Sequence, residues 1–320
     1  MLTDTYGRVH RDLRVSLTDR CQLRCTYCMP EEGLPWAKDV LGAAEISRVI
    51  RVAVAEGITE VRLTGGEPLL RRDLLDIVEA IDVPDLSLTT NGMGLARIAK
   101  DLVAAGLSRV NVSVDTLRAD RFRLLARRNG HEAVLDGVRA ALDAGLAPVK
   151  INTVLMRDVN DDEVLDLVVW ARELDVELRF IEHMPLGPAG SWDRSEMVTA
   201  EEVLAVLRSR FDVRPLGGRE SAPAELWELD GSGPPVGVIA SVTRPFCSDC
   251  DRLRLTADGH LRSCLFSRDE DDLRPLLRGG GNDAELAAFL QRVVAGKGPG
   301  HGIGLPGFEQ PPRTMSEIGG

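Results

Sequence analysis

The chain has 320 residues, 44% of them hydrophobic and 28% charged, with a formal net charge of −11. That apolar content excludes wholesale disorder, and the acidic balance argues against a surface that coats nucleic acid. No apolar run approaches the ~18 residues of a membrane span, and Met1 to Asp12 lack the apolar stretch of a secretory signal, so the expected compartment is the cytoplasm.

In chain order, short β-branched runs alternate with helical patterns from Asp12 to about Phe211. Strands are predicted at 13–18, 60–64, 86–90, 110–114, 149–155 and 177–181, and helices at 45–56, 74–81, 96–105, 132–144 and 163–174. Six successive βα units predict a parallel sheet with helices outside it. Doubly buried parallel strands usually run apolar, yet these alternate. Arg14, Ser16 and Thr18 interleave with Leu13, Val15 and Leu17, and Arg62 and Thr64 with Val61 and Leu63. Ser87 and Thr89, then Asn111, Ser113 and Asp115, then Lys150 and Asn152, then Glu177 and Arg179 continue the pattern. A period of two puts each set on one face. An antiparallel sheet with one wet face would alternate too. The intervening helices favour a partial barrel with a polar, cationic lumen, which calls for a polar, anionic occupant.

After Phe211 Pro and Gly become dense and the helical period lapses. Short strands are predicted at 236–242 and 252–256, a hairpin turn at Asp258-Gly259, and a helix at 283–294. We therefore expect two units, residues 1–215 and 216–320, with a tail from Gly296 that lacks regular structure until it meets a partner surface.

The six cysteines form two sets of three. Cys21, Cys25 and Cys28 follow the first predicted strand as C-x3-C-x2-C, and Cys247, Cys250 and Cys264 are spaced C-x2-C-x13-C. Disulfides are disfavoured in a reducing compartment. Structural zinc takes four ligands, and a cube-shaped iron–sulfur cluster is usually held by four thiolates. Three thiolates would leave one iron open to a further ligand. Zinc completed by a distant His remains an alternative for the first set, and zinc with His260 for the second. Arg252 and Arg254 lie on one face of the strand after Cys250. Lysine is scarce, with four against 35 arginines, so Lys150 on a polar strand face is informative.

The C-x3-C-x2-C loop with an aromatic before its last cysteine resembles the signature of radical S-adenosylmethionine (SAM) enzymes, and Gly65-Gly66-Glu67-Pro68 resembles their glycine-rich turn after the second strand. The stretches LRVSLTDRCQLRCTYCMPEEG, VRLTGGEPLLRRDL, LTTNG, VNDDE, RFIEHMP, FCSDCDRLRLTADGHLRSCLF and the terminal IGG together resemble the GTP 3′,8-cyclase family of molybdenum cofactor biosynthesis. The resemblance implies an α/β fold: a partial (β/α)6 TIM-type barrel whose open side is closed by a smaller α+β C-terminal domain carrying a second iron–sulfur cluster. It implies two [4Fe-4S] clusters, each on three cysteines, one chelating SAM and one binding the guanine of GTP.

For SAM the resemblance implies contacts from Tyr27, Gly66, Glu67, Ser113 and Met184. For GTP it implies Arg14, Arg62, Thr89, Lys150, Arg252 and Arg254, to which the lumen face adds Arg179. Arg14, Gly319 and Gly320 are the expected catalytic residues, the diglycine tail reaching the active site. The implied reaction begins with a deoxyadenosyl radical taking hydrogen from ribose C3′; C3′ then bonds to C8, and one electron and a proton complete the product. An external one-electron reductant and a downstream cyclic pyranopterin monophosphate synthase are implied partners; no nucleic acid or membrane is expected, and the chain is a monomer or homodimer. His183 is a weak functional candidate, and 186–235 and 267–313 carry no assigned role. Competing readings are a radical SAM enzyme on another nucleotide or a peptide, and a metal-stabilised binding module, for RNA for example.

Overall fold

The structure, a computed structural model, describes residues 1–319; Gly320 lies outside the described residues. Six strands, β1 (Asp12–Ser16), β2 (Glu60–Thr64), β3 (Asp85–Thr90), β4 (Arg109–Ser113), β5 (Val149–Leu155) and β6 (Glu177–Glu182), lie side by side in sequence order, every neighbouring pair parallel. Parallel pairing decides between the two readings of the alternation in favour of the barrel wall. The helices α1 (Ala43–Ala55), α2 (Leu74–Glu79), α3 (Leu95–Ala104), α4 (Ala119–Ala126), α5 (His131–Asp143), α6 (Val164–Glu173) and α7 (Ala200–Arg208) connect and follow these strands. Leu13, Val15, Val61, Leu63, Leu88, Val112 and Ile151 on the strands share one core with Ile46, Val49, Val134, Val138 and Leu167 on the helices.

Boundaries move by one to three residues from the expected ones. Two of these seven helices, α4 and α7, were not expected. The eight residues of α4 are too short and charged to show a period, whereas α7 carries a capping box, Thr199 Oγ1 accepting from Glu202 N while Glu202 accepts from Thr199 N.

The later strands β7 (Val213–Pro215), β8 (Glu225–Leu229), β9 (Val236–Ile239), β10 (Arg252–Leu255), β11 (His260–Arg262) and β12 (Asp271–Asp272) extend the same sheet. β9 adds parallel to β6, and β10 adds parallel to β1. Consecutive strands thus cover opposite edges of the six-stranded wall, and the segment between them must cross the open side. Both edges that would otherwise expose unpaired backbone are covered.

The helices α8 (Arg274–Arg278) and α9 (Asp283–Ala295) follow, and α10 (Met315–Ile318) lies near the chain end. The expectation of an irregular tail awaiting a partner is corrected at its end. Ile318 is buried with Leu186, Met197, Val242, Phe266 and Ile303, so the tail docks on its own chain because apolar burial there outweighs fraying. No helix of the described residues is long and apolar enough to cross a membrane.

Candidate active site

The first cysteine loop leaves the carboxyl end of β1, where barrels of this kind place their chemistry. Three elements hold its backbone. Arg24 and Thr26 donate from their N–H groups to the carbonyls of Ala126 and Leu125 at the end of α4 (2.9 and 3.0 Å). The Arg24 guanidinium folds back onto the Cys21 and Leu23 carbonyls (2.6 and 2.8 Å). From the turn after β2, Gly66 N donates to the Thr18 carbonyl (2.6 Å) and Glu67 N to that of Arg20 (2.7 Å). A Cβ on Gly66 would overlap the Asp19 and Arg20 carbonyls, so glycine is needed there for backbone contact alone.

Cys21, Cys25 and Cys28 line a cavity with Gly65, Gly66, Asn91 and Ser113. Glu67 does not line it. Its buried carboxylate accepts from Leu69 N (2.9 Å), the Thr90 hydroxyl (2.7 Å) and Asn91 N (2.7 Å), and burial pushes the carboxyl up to about 7. Burial also raises the thiols: Cys21 to about 11, Cys28 to about 12, and Cys25 well above its ordinary range.

Residues 240–251 cross the open side and bring Cys247 and Cys250 over the lumen, where Cys264 joins them after β11. These three line a second, larger cavity together with Arg14, Arg62, Arg179, Arg252 and Arg254. Tyr27, Thr89, Ser113, Asp115 and Met315 line both cavities, so the two adjoin. Cys250 differs from the first set. Burial would raise it, but Arg252 and Lys297 draw it down to about 7.

Register sets the charge along the wall of the larger cavity. Arg14 stands opposite Arg254 on one side and Arg62 on the other, and like charges directly opposite are destabilising. Burial and neighbouring arginines lower Arg14 to about 9 and Arg62 to about 10, and lower Arg254 well below its usual range. Asp12, 3.5 Å from Arg14 Nε, offsets part of this. Buried Arg14 Nε and the Asn152 carbonyl oxygen, whose side chains line the larger cavity, have no hydrogen-bond partner among the described residues. Such a row suits a polyanion with acceptor oxygens.

Lys150 stands apart: its Nζ is 3.3 Å from Glu177 Oε2 and it does not line the cavity, whereas Arg179 pairs with Glu177 Oε1 at 2.5 Å and does. Gly237, opposite Arg179, leaves room for the arginine stem. Met184 lines the larger cavity. His183 is buried, its ring 6.3 Å from that of Tyr27, with burial lowering it to about 4. His260 faces Asp258, Glu270 and Arg313 rather than the cysteines, which removes it as a fourth zinc ligand.

Sequence reasoning passed over Asp115 as a site residue. The Tyr27 hydroxyl donates to its Oδ2 (2.7 Å), its Oδ1 accepts from Val154 N (2.9 Å), and burial pushes it up to about 6. The signal was present, since Asp115 continues the polar alternation of β4. The chain end was also under-read. Ser16 Oγ donates to the Ile318 carbonyl (2.6 Å), Arg254 Nη1 donates to that of Gly319 (2.7 Å), and Ser316 hydrogen-bonds the Cys28 sulfur. Gly319 therefore ends up within the barrel beside the arginine row, with φ at 85° and no room for a Cβ against Ser16.

Profiles of the Radical SAM superfamily and of Molybdenum Cofactor Synthesis C match residues 15–171 and 176–303. A GTP 3′,8-cyclase of Streptomyces coelicolor is 58% identical over 329 aligned positions, which cover 100% of this chain and 96% of the relative. The chain belongs to the GTP 3′,8-cyclase family. Another member, from Rhodococcus opacus, is 51% identical over 327 positions, covering 100% of this chain and 93% of its own. In fold the chain is similar to the crystal structure of Streptococcus suis SuiB bound to S-adenosylmethionine, with a TM-score of 0.59, 15% identity, and coverage of 89% of this chain and 68% of that one. As a member of this family it is a radical SAM enzyme, with SAM and an iron–sulfur cluster as cofactors. The residues present fit that chemistry, since three cysteines line each of the adjoining cavities, and their sulfurs, once ionised, are the soft donors that iron–sulfur ligation uses.

Proposed function

We propose that this chain cyclises GTP to (8S)-3′,8-cyclo-7,8-dihydroguanosine 5′-triphosphate, the first step of molybdenum cofactor biosynthesis. Residues 1–215 form the radical SAM barrel and 216–320 the unit that carries a second cluster. The observation that carries the reading is a row of buried arginines, Arg254, Arg14 and Arg62, lining the cavity of the second cysteine set, which adjoins that of the first. When bound, the two [4Fe-4S] clusters and SAM supply the electron and the radical that removes hydrogen from ribose C3′.

The protein's own part is placement. Cys21, Cys25 and Cys28 on one side, and Cys247, Cys250 and Cys264 on the other, each leave a coordination position free, for SAM and for the purine. Tyr27, Gly66 and Ser113 border the SAM end, and Met184 faces it from the adjoining cavity, while Glu67 holds the Gly66 turn against β3. Arg14, Arg62, Arg179, Arg252 and Arg254, with Thr89, grip the triphosphate and ribose; their forks match phosphate oxygens, and the anion cancels their mutual repulsion. Lys150 acts from behind, through Glu177, on Arg179. Fixing the triphosphate and purine leaves C3′ facing C8, and orientation of this kind can supply ~7–11 kcal/mol of a barrier. As C3′ bonds to C8, the purine takes up one electron, from an external reductant, and one proton. Gly319 closes the lumen beside Arg254, and the catalytic role expected of Gly320 falls outside the described residues. The product passes to a cyclic pyranopterin monophosphate synthase.

An anaerobic assay with SAM, GTP and a reductant tests this, following 5′-deoxyadenosine and GTP together. Equal formation of 5′-deoxyadenosine and cyclised nucleotide is expected. 5′-Deoxyadenosine without GTP consumption would overturn the cyclase reading in favour of another substrate.

A further inference from the structure

The segment after α9 has no role in the reading above, yet it packs against the second cysteine set. Lys297 is 4% exposed, and its Nζ donates to Cys250 Sγ (3.3 Å) and to the Arg252 carbonyl (2.8 Å). Among the described residues no carboxylate forms an ion pair with it. Gly300 approaches so closely that a Cβ there would stand 3.0 Å from Cys247 Cβ and 3.3 Å from its sulfur. Arg8 clamps the two strands of backbone together, Nη1 donating to the Cys247 carbonyl (2.6 Å) and Nη2 to that of Gly298 (2.7 Å), while its Nε pairs with Asp4 at 2.5 Å. At the first set, among the described residues, the donors to sulfur are neutral: Asn91 Nδ2 stands 3.7 Å from Cys21 Sγ, and Ser316 bonds to Cys28.

A buried ammonium without an acid is costly unless some anion compensates it. Three thiolates on a cluster are such an anion, and charge and hydrogen bonds at the sulfurs set a cluster's potential. We propose that Lys297 is a positioning residue of the second cluster, its N–H to sulfur bond and its charge favouring the reduced state and raising that cluster's potential. This rests on Cys247, Cys250 and Cys264 being cluster ligands. The strap from Lys297 to Gly300, held by Arg8, keeps the ammonium at the sulfur.

The test is a potentiometric titration of the reconstituted holoenzyme, followed by electron paramagnetic resonance, for wild type, Lys297→Met and Lys297→Arg. In Lys297→Met one of the two reduction waves moves to lower potential by at least tenfold in the reduced-to-oxidised ratio, ~59 mV for a one-electron couple. The other wave stays in place, and Lys297→Arg recovers most of the shift. Two unmoved waves in Lys297→Met overturn the proposal. If Lys297→Met assembles only one cluster by iron and sulfide content, Lys297→Arg decides: two clusters support the need for the charge, whereas one cluster makes Lys297 a packing residue and overturns it. A wild-type chain that binds only one cluster overturns the reading of the second set, and the proposal with it.

Discussion

The two cysteine sets use the same ligand number in opposite surroundings. The loop of Cys21, Cys25 and Cys28 is buried with Glu67, Asp115 and the Arg24 guanidinium as nearby charges, Arg24 bonding to the Cys21 carbonyl rather than to a sulfur, and all three thiols are raised. At the second set Arg252 and Lys297 bring Cys250 down to about 7. If the first loop holds the proposed cluster, metal binding would have to ionise its thiols, because metal binding and thiol ionisation are coupled. In the second set the protein supplies part of the compensating charge. On the proposed reading, the first site leaves an electron-rich cluster beside SAM, and the second holds an anionic assembly beside a triphosphate.

The sharpest way to break this comparison is to remove one thiolate from each set. Cys25→Ala should abolish both 5′-deoxyadenosine formation and cyclisation, whereas Cys247→Ala should abolish cyclisation yet leave SAM cleavage measurable by chromatography. Equal loss of SAM cleavage in both variants would erase the division of labour. Next in size is the tail that touches both sites. One bulky residue added after Gly320 should lower cyclisation ~100-fold, as small misplacements at a reacting centre do; unchanged turnover would remove the tail from the mechanism.

Arg254→Met comes third. Losing a charge-assisted phosphate contact worth ~1.5–3 kcal/mol should weaken GTP binding by ~10- to 150-fold in calorimetry, with SAM binding unaltered. Equal weakening of SAM would place Arg254 at the wrong site. The smallest effect concerns His183, behind Tyr27. Burial holds it at about 4, below its ordinary 6.5. The unfolded chain therefore takes up this proton first as pH falls, so its contribution is complete above 6.5 and is lost between 6.5 and about 4. Relative to pH 7, His183→Leu should lose ~4 °C less of its Tm than wild type at pH 4.5. Identical pH profiles would show a hydrated imidazole.

Much of the fold was legible because its signal is local. Period-two alternation placed Arg14, Ser113 and Arg179 on the lumen face, and the helical period placed Val134 and Val138 on the core side. Where a helix was short and highly charged, as in α4, no period could show. Asp115 was readable as polar and inward but not as the partner of Tyr27, since that pairing joins residues 88 apart. Glu67 was legible as part of a motif, while its carboxylate's use in tying the turn to β3 depends on Thr90 and Asn91 arriving from the next strand.

Residue order alone settled the cysteine spacing, the βα alternation and the cationic lumen face, because each is carried by neighbours within a strand or loop. Tertiary structure decided what those pieces meet. That β9 and β10 dock on opposite edges, carrying Cys247 and Cys250 across the mouth, follows from strand pairing between residues far apart in the chain. The same pairing sets Arg254, Arg14 and Arg62 in one row, and the buried Ile318 draws Gly319 in beside it. Three positive charges brought together away from water, with Asp12 offsetting only part of them, are costly until an anion joins them, and that cost is a property of the assembled barrel.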